Sequence, residues 1–140
     1  MLPQYERVFT VNDYWDGPRA GIANFHGEPH AFQREVDADP DEYSDIFRLN
    51  PIDQRTLELA LEQWAIWSRW KGAFDRKEVA LESHPRVSHQ PARFMELDEI
   101  LKPALEVPLD GVAKAIGEFR RVRTSSDEWL VCWRPIAQQS

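Results

Sequence analysis

Tyr5-Glu6-Arg7-Val8-Phe9-Thr10-Val11-Asn12, followed shortly by Asp16-Gly17-Pro18, is the stretch on which the fold turns. Alternation puts Tyr5, Arg7, Phe9 and Val11 on one face and Glu6, Val8, Thr10 and Asn12 on the other. Large apolar bodies dominate the first set, as a strand with one sheltered face requires. Asp-Gly ahead of a proline then ends the strand in a tight turn.

Working outward, Arg19 to Phe25 reads as a second strand, with Ala20, Gly21 and Ala23 small enough for a close approach. His26-Gly27-Glu28-Pro29 reads as another turn. His30, Phe32, Arg34 and Val36 alternate with Ala31, Gln33 and Glu35 as a third strand, and Ile46 to Leu49 supplies a fourth. Short turns between consecutive strands make an antiparallel meander the simplest arrangement.

The period then changes. Either Asn50 ahead of Pro51, or Asp53, can cap a helix. Only Gly72 interrupts the pattern from there to about Glu82. Leu57, Leu59, Ala60, Leu61, Trp64, Ile66, Trp67, Trp70 and Phe74 cover roughly half the wheel or more. That stripe is too wide for an ordinary surface helix, so a central helix is expected. A second helix is expected over Pro91 to Leu105, weakened by Pro103 in its last turn. Residues 108–116 are ambiguous, and Val112, Ala115 and Ile116 could form a short helix. At the C-terminus, Gly117 to Arg123 and the alternating Trp129 to Arg134 predict a hairpin. The expected fold is therefore α+β over one domain, residues 1–140. It pairs an antiparallel sheet, the N-terminal meander plus the C-terminal hairpin, with a long Trp-rich helix and a second helix packed against it.

Composition narrows the function classes. The 140 residues carry 24 acids against 17 bases, a formal charge of −7. The first fifty residues hold ten acids and four bases, so the acidity is local. This balance argues against nucleic-acid binding, which rests on neutralising phosphates. One cysteine, Cys132, excludes an internal disulfide or a multi-cysteine zinc site. No run reaches the ~20 apolar residues of a membrane span, and the start lacks a signal-peptide profile, so a cytoplasmic protein is expected.

Catalytic and metal templates are scarce. His26 and His30 flank one turn, but nothing in the spacing of His84, His89 or the carboxylates completes a known ligand set. Asp37, Asp39 and Asp41 imitate the opening of a calcium loop, then fail with Glu42 at the glycine position and Arg48 at the final glutamate position. A charged solvent loop over Glu35, Asp37, Asp39, Asp41, Glu42 and Asp45 is expected instead. Cys132 reads as a packing thiol between two tryptophans. No metal and no cofactor is expected.

Two features remain. At the first turn, Asp13, Tyr14, Trp15, Asp16 and Arg19 could line a small polar site, with His30 and His84 as added members. The plainer account is that Asp16 closes the turn and Arg19 braces the hairpin. In the helix, Trp64, Trp67 and Trp70 wind around the axis and cannot all face one small core, although wet indoles are costly at ~25 cal/mol per Å². Burial within the chain ranks first, an interface second and a ligand pocket third. Arg120, Arg121 and Arg123 form the only basic cluster. An anion or acidic partner could dock on it, and pairing with the chain's own acidic loop is the plainer reading.

Phe9-Thr10-Val11, Asp13-Tyr14-Trp15-Asp16-Gly17-Pro18-Arg19, Gly27-x-Pro29-His30-x-Phe32, Pro51-Ile52-Asp53 and Trp64-Ala65-Ile66-Trp67 resemble a family of uncharacterised bacterial proteins. The resemblance spans most of the chain and implies a bacterial, cytoplasmic origin. It carries no activity, cofactor or partner with it, and points to Tyr14, Trp15, Asp16, Arg19 and His30 as residues to probe.

The favoured expectation is a non-catalytic binding or interaction protein, a homodimer or partner complex that covers Trp64, Trp67 and Trp70. The alternative is a small enzyme or polar-ligand binder with its site at the first turn.

Overall fold

The computed structural model describes residues 4–14, 17–35, 45–123 and 128–136. The chain forms two compact units: Met1–Ile52 with Glu106–Ser140, and Asp53–Leu105 between them in sequence.

The first unit is a closed barrel of six antiparallel strands in chain order: β1 (Glu6–Tyr14), β2 (Pro18–Phe25), β3 (Glu28–Arg34), β4 (Ile46–Pro51), β5 (Ala113–Arg121) and β6 (Trp129–Arg134). Closure rests on β1 pairing with β6 at Glu6–Val131 and Arg7–Leu130. This corrects the expected open sheet packed on a helix. The sheet buries its apolar face by curling on itself, and its interior is full. Phe32, Phe47, Phe119 and Trp133 meet there at ring centroids 5.2–6.1 Å apart, most of them edge to face. Ala23, Leu49, Ala115 and Val131 fill between them.

Local sequence explains several joints. His26 and Gly27 both take positive φ in the β2–β3 turn, and the Glu6 carboxylate accepts hydrogen bonds from both of their amides. Gly21 lies so close to the Thr10 carbonyl that a side chain there would collide with it. In β1 the strict alternation fails. A register shift between Val8 and Thr10 sets Val8 opposite Ala23 and packs it on the core, and the expected Tyr5–Arg7–Phe9–Val11 face is not kept. The open segment 108–116 resolves as loop followed by strand. Arg48 anchors that loop by donating to the carbonyls of Val107 and Pro108.

The second unit is helical: α1 (Gln54–Asp75), a single 3₁₀ turn (Leu81–Ser83), α2 (Pro85–Ser88) and α3 (Ala92–Ala104). Asp53 is the N-cap of α1, accepting from the Thr56 amide at 2.7 Å, and the Thr56 side chain first, then this amide, hold its carboxyl below the usual range. The helix stops at Asp75 rather than near Glu82, where Lys77 turns to φ 61°. The packing partner of α1 in this unit is α3. Arg93 of α3 donates to both Glu62 carboxylate oxygens at 2.6 and 2.9 Å, and Gln63 donates to the Phe94 carbonyl and to Asp98. Among the described residues no helix is long and apolar enough to cross a membrane.

Candidate functional site at the barrel mouth

One end of the barrel is where β1 gives way to β2, β3 to β4 and β5 to β6. A cavity of about 320 Å³ opens there. Phe47 and Phe119, tilted at 55° with their centroids 5.2 Å apart, line its apolar part. Gly117 lets them close: a Cβ there would sit 2.7 Å from the Trp133 ring and 2.9 Å from Phe47. Tyr14 and Trp129 line it higher up, their centroids 6.0 Å apart and tilted by 47°. The Arg121 guanidinium lies 4.9 Å over the Trp129 ring. Gly17 and Pro18 complete the edge beside Tyr14.

The polar groups are Arg34 and Asp45, the residues that end β3 and precede β4. Arg34 donates to the Asp45 carboxylate at 3.1 Å, and its guanidinium lies 5.8 Å over Phe47. The Arg34 side chain is largely sheltered, while Asp45 is 68% exposed. The lining thus offers rings for stacking, a donor fork and an acceptor carboxylate side by side. It includes no histidine, cysteine or hydroxyl nucleophile among the described residues beyond the Tyr14 phenol. It is shaped to hold a planar molecule and read one polar edge of it.

Of the residues expected at the first turn, Tyr14 lines the cavity. Trp15 and Asp16 lie outside the described residues, as does the acidic segment 36–44. Arg19 follows the lining residue Pro18 and is half-buried, and its side chain forms no hydrogen bond or ion pair with a described residue. His30 sits toward the other end of β3, with its ring 5.2 Å from Phe25 and its Nδ1 donating to the Glu28 carbonyl. His84 belongs to the helical unit, where it caps α2. Among the described residues, no three His, Cys, Asp or Glu side chains gather as metal ligands would.

Trp64, Trp67 and Trp70 each find an aromatic partner inside the helical unit. Trp64 and Trp67 stack at 4.8 Å, and Trp70 stacks on Phe74 at 5.0 Å while its Nε1 donates to the Ser83 hydroxyl. All three stay half-buried.

Sequence reasoning missed Arg34, Asp45, Phe47, Gly117, Phe119 and Trp129 as one site, because four strands supply them. The available signal was the inward alternation at the strand ends, Phe47 with Leu49 and Trp129 with Val131.

No family model, curated protein or solved structure matches this chain.

Proposed function

We propose that the barrel is a non-catalytic binding module for a small planar heterocycle, held in the mouth beside the first turn. The observation that carries this reading is the cavity of about 320 Å³ lined by four aromatic rings with the Arg34–Asp45 pair among them. Its volume lies near the lower end of small-molecule sites and suits one or two fused rings. Arg34 donates and Asp45 accepts, so the complementary ligand edge carries an acceptor next to a donor, as an amide-like ring edge does. Stacking on Trp129 or Tyr14 supplies affinity, and the charged pair supplies orientation.

The test is a thermal-shift and intrinsic-fluorescence titration with nucleobase-sized heterocycles such as uracil, adenine and nicotinamide. At least one is expected to raise the melting temperature and quench tryptophan emission. Trp129→Ala and Arg34→Gln are each expected to weaken that binding about tenfold, the loss of one stacking or charge-assisted contact. Absence of binding across the set, or binding indifferent to both substitutions, removes the proposal.

A further inference from the structure

The outer wall of the barrel holds a second feature, at the seam where it closes. Leu130 is the central residue of one rung that runs across three strands, pairing with Arg7 on β1 and with Arg120 on β5. Its neighbour Val131 is fully buried in the barrel core, so Leu130 and both arginines face outward. Strands lie about 4.8 Å apart, which sets the two arginine backbones roughly 10 Å from each other.

Each guanidinium is backed by a ring. The Arg7 Cζ stands 4.7 Å from the Phe9 centroid and the Arg120 Cζ 5.4 Å from that of Tyr5. Neither has a carboxylate or carbonyl partner among the described residues. Other arginines are matched, Arg34, Arg76, Arg86, Arg93 and Arg134 with carboxylates and Arg48 with two carbonyls, while Arg19, Arg55, Arg69 and Arg123 share the lack of such a partner among the described residues without lying on one rung. In a chain of 24 acids, two exposed and unmatched arginines on one rung do not follow from a shortage of partners. Two acids close to them in sequence are engaged elsewhere, Glu6 by the His26 and Gly27 amides and Glu118 by Arg134.

We infer that the Arg7–Leu130–Arg120 rung is a docking ridge for an acidic peptide segment of a partner protein. Stacking on Phe9 and Tyr5 restrains each guanidinium while leaving its donors free, so less freedom is lost when a carboxylate arrives. Three residues of an extended chain span about 10 Å, so carboxylates at that spacing reach both arginines while an apolar residue between them covers Leu130. The net charge of −7 repels carboxylates and phosphates alike, and the number of charges on the ligand decides how strongly. A strand with one phosphate every ~3.4 Å meets that repulsion along its whole length, whereas a short acidic segment meets it only locally. The ridge is independent of the mouth cavity, and its failure leaves the heterocycle reading untouched.

The test is fluorescence anisotropy with a labelled Glu-rich peptide and, separately, labelled oligothymidylate. The peptide is expected to bind in a salt-dependent way, with affinity falling about tenfold in the Arg7→Ala/Arg120→Ala double variant. Arg134→Ala, which removes an arginine already paired, is expected to change nothing, and Arg7→Lys/Arg120→Lys to fall between the parent and the double-alanine variant, since the charge remains but the ring-restrained fork is lost. Both side chains are exposed, so the melting temperatures of these variants are expected to match the parent and report that folding is intact. No peptide binding, equal loss in the Arg134 variant, or tighter binding of oligothymidylate than of the peptide overturns the inference.

Discussion

The two units use aromatic side chains in opposite ways. In the barrel, Phe32, Phe47, Phe119 and Trp133 interlock with tilted and edge-to-face contacts inside a closed wall, and Trp133 Nε1 donates to the Asn24 carbonyl at 2.8 Å. In the helical unit the rings lie in two stacked pairs along α1, Trp64 on Trp67 and Trp70 on Phe74, each half-buried. The fully sheltered contacts there are aliphatic for the most part, Leu59, Leu97 and Leu101 with Phe94, and charge clasps tie α1 to α3 at the surface. A closed wall fixes interior volume, so every added or deleted atom is felt. Two helices held by an apolar stripe and exposed ion pairs can shift to accommodate a change. The same residue type therefore marks a rigid core in one unit and a compliant surface in the other.

A matched pair of glycine substitutions tests that contrast most severely. At Gly21 an added Cβ strikes the Thr10 carbonyl and comes within 3.0 Å of Phe32 Cζ, and neither a paired strand nor a packed ring can retreat. Gly21→Ala is expected to cost about 3 kcal/mol, the upper part of the usual range for overpacking. At Gly72, within α1, the only close atom is the Arg76 Nη1 tip at 3.2 Å, the far end of a flexible side chain. Gly72→Ala is expected to gain about 0.5 kcal/mol, because alanine restricts the unfolded chain and favours helix. Denaturant melts of both variants decide it: equal losses would mean the two units are packed alike.

The barrel interior was only partly legible beforehand, and the reason is physical. Turns and caps are written locally, so the His26-Gly27 turn, the Asp53 cap, the span of α3 and the β5–β6 hairpin all follow from short stretches. Barrel closure is not local. It depends on two rungs between residues about 125 positions apart, Glu6–Val131 and Arg7–Leu130, and on coiling that accumulates over six strands. The bulge in β1 has the same character, since alternation alone cannot report that one residue is extra relative to the partner strand. The mouth inherits this difficulty. Tyr14 was visible as an aromatic at a turn, whereas Arg34, Phe47, Gly117 and Trp129 become one site only after the strands close. For the tryptophans of α1, stacking three positions apart along the helix shelters indole surface that a wheel diagram counts as exposed.

A smaller effect, of opposite sign, sharpens the picture of a filled barrel wall. Thr10 lies opposite Ile22, both almost fully buried, and its hydroxyl has no hydrogen-bond partner among the described residues. Valine has nearly the same shape without the unpaired hydroxyl. Thr10→Val is expected to stabilise the protein by about 1 kcal/mol, the usual cost of a buried unpaired polar group. A destabilising result from chemical denaturation would indicate that the hydroxyl has a partner after all, and that the wall there is less dry than its burial implies.

The least of the expected effects concerns the compliant unit and its response to acid. His84 precedes α2, and its Nδ1 accepts the Arg86 amide at 3.1 Å while its ring edge faces Trp70 at 4.7 Å. Burial, with a lesser contribution from the Arg86 charge, holds its pKa below the ordinary value of 6.5. The folded state therefore binds this proton less readily than the unfolded state does. Stability from His84 is complete above the unfolded-state value and is lost as pH falls through the folded one. Protonating Nδ1 also turns the acceptor into a donor and breaks the cap. Asparagine caps equally well and does not titrate, so His84→Asn is expected to flatten the fall in melting temperature between about pH 7.5 and pH 5, where the carboxylates remain mostly charged. If parent and variant fall in parallel, the acid response lies elsewhere. If only the parent falls, a single imidazole accounts for the acid sensitivity of the helical unit over this range, while the clasp of Arg93 on Glu62, whose carboxyl that hydrogen bond holds below the usual range, stays intact.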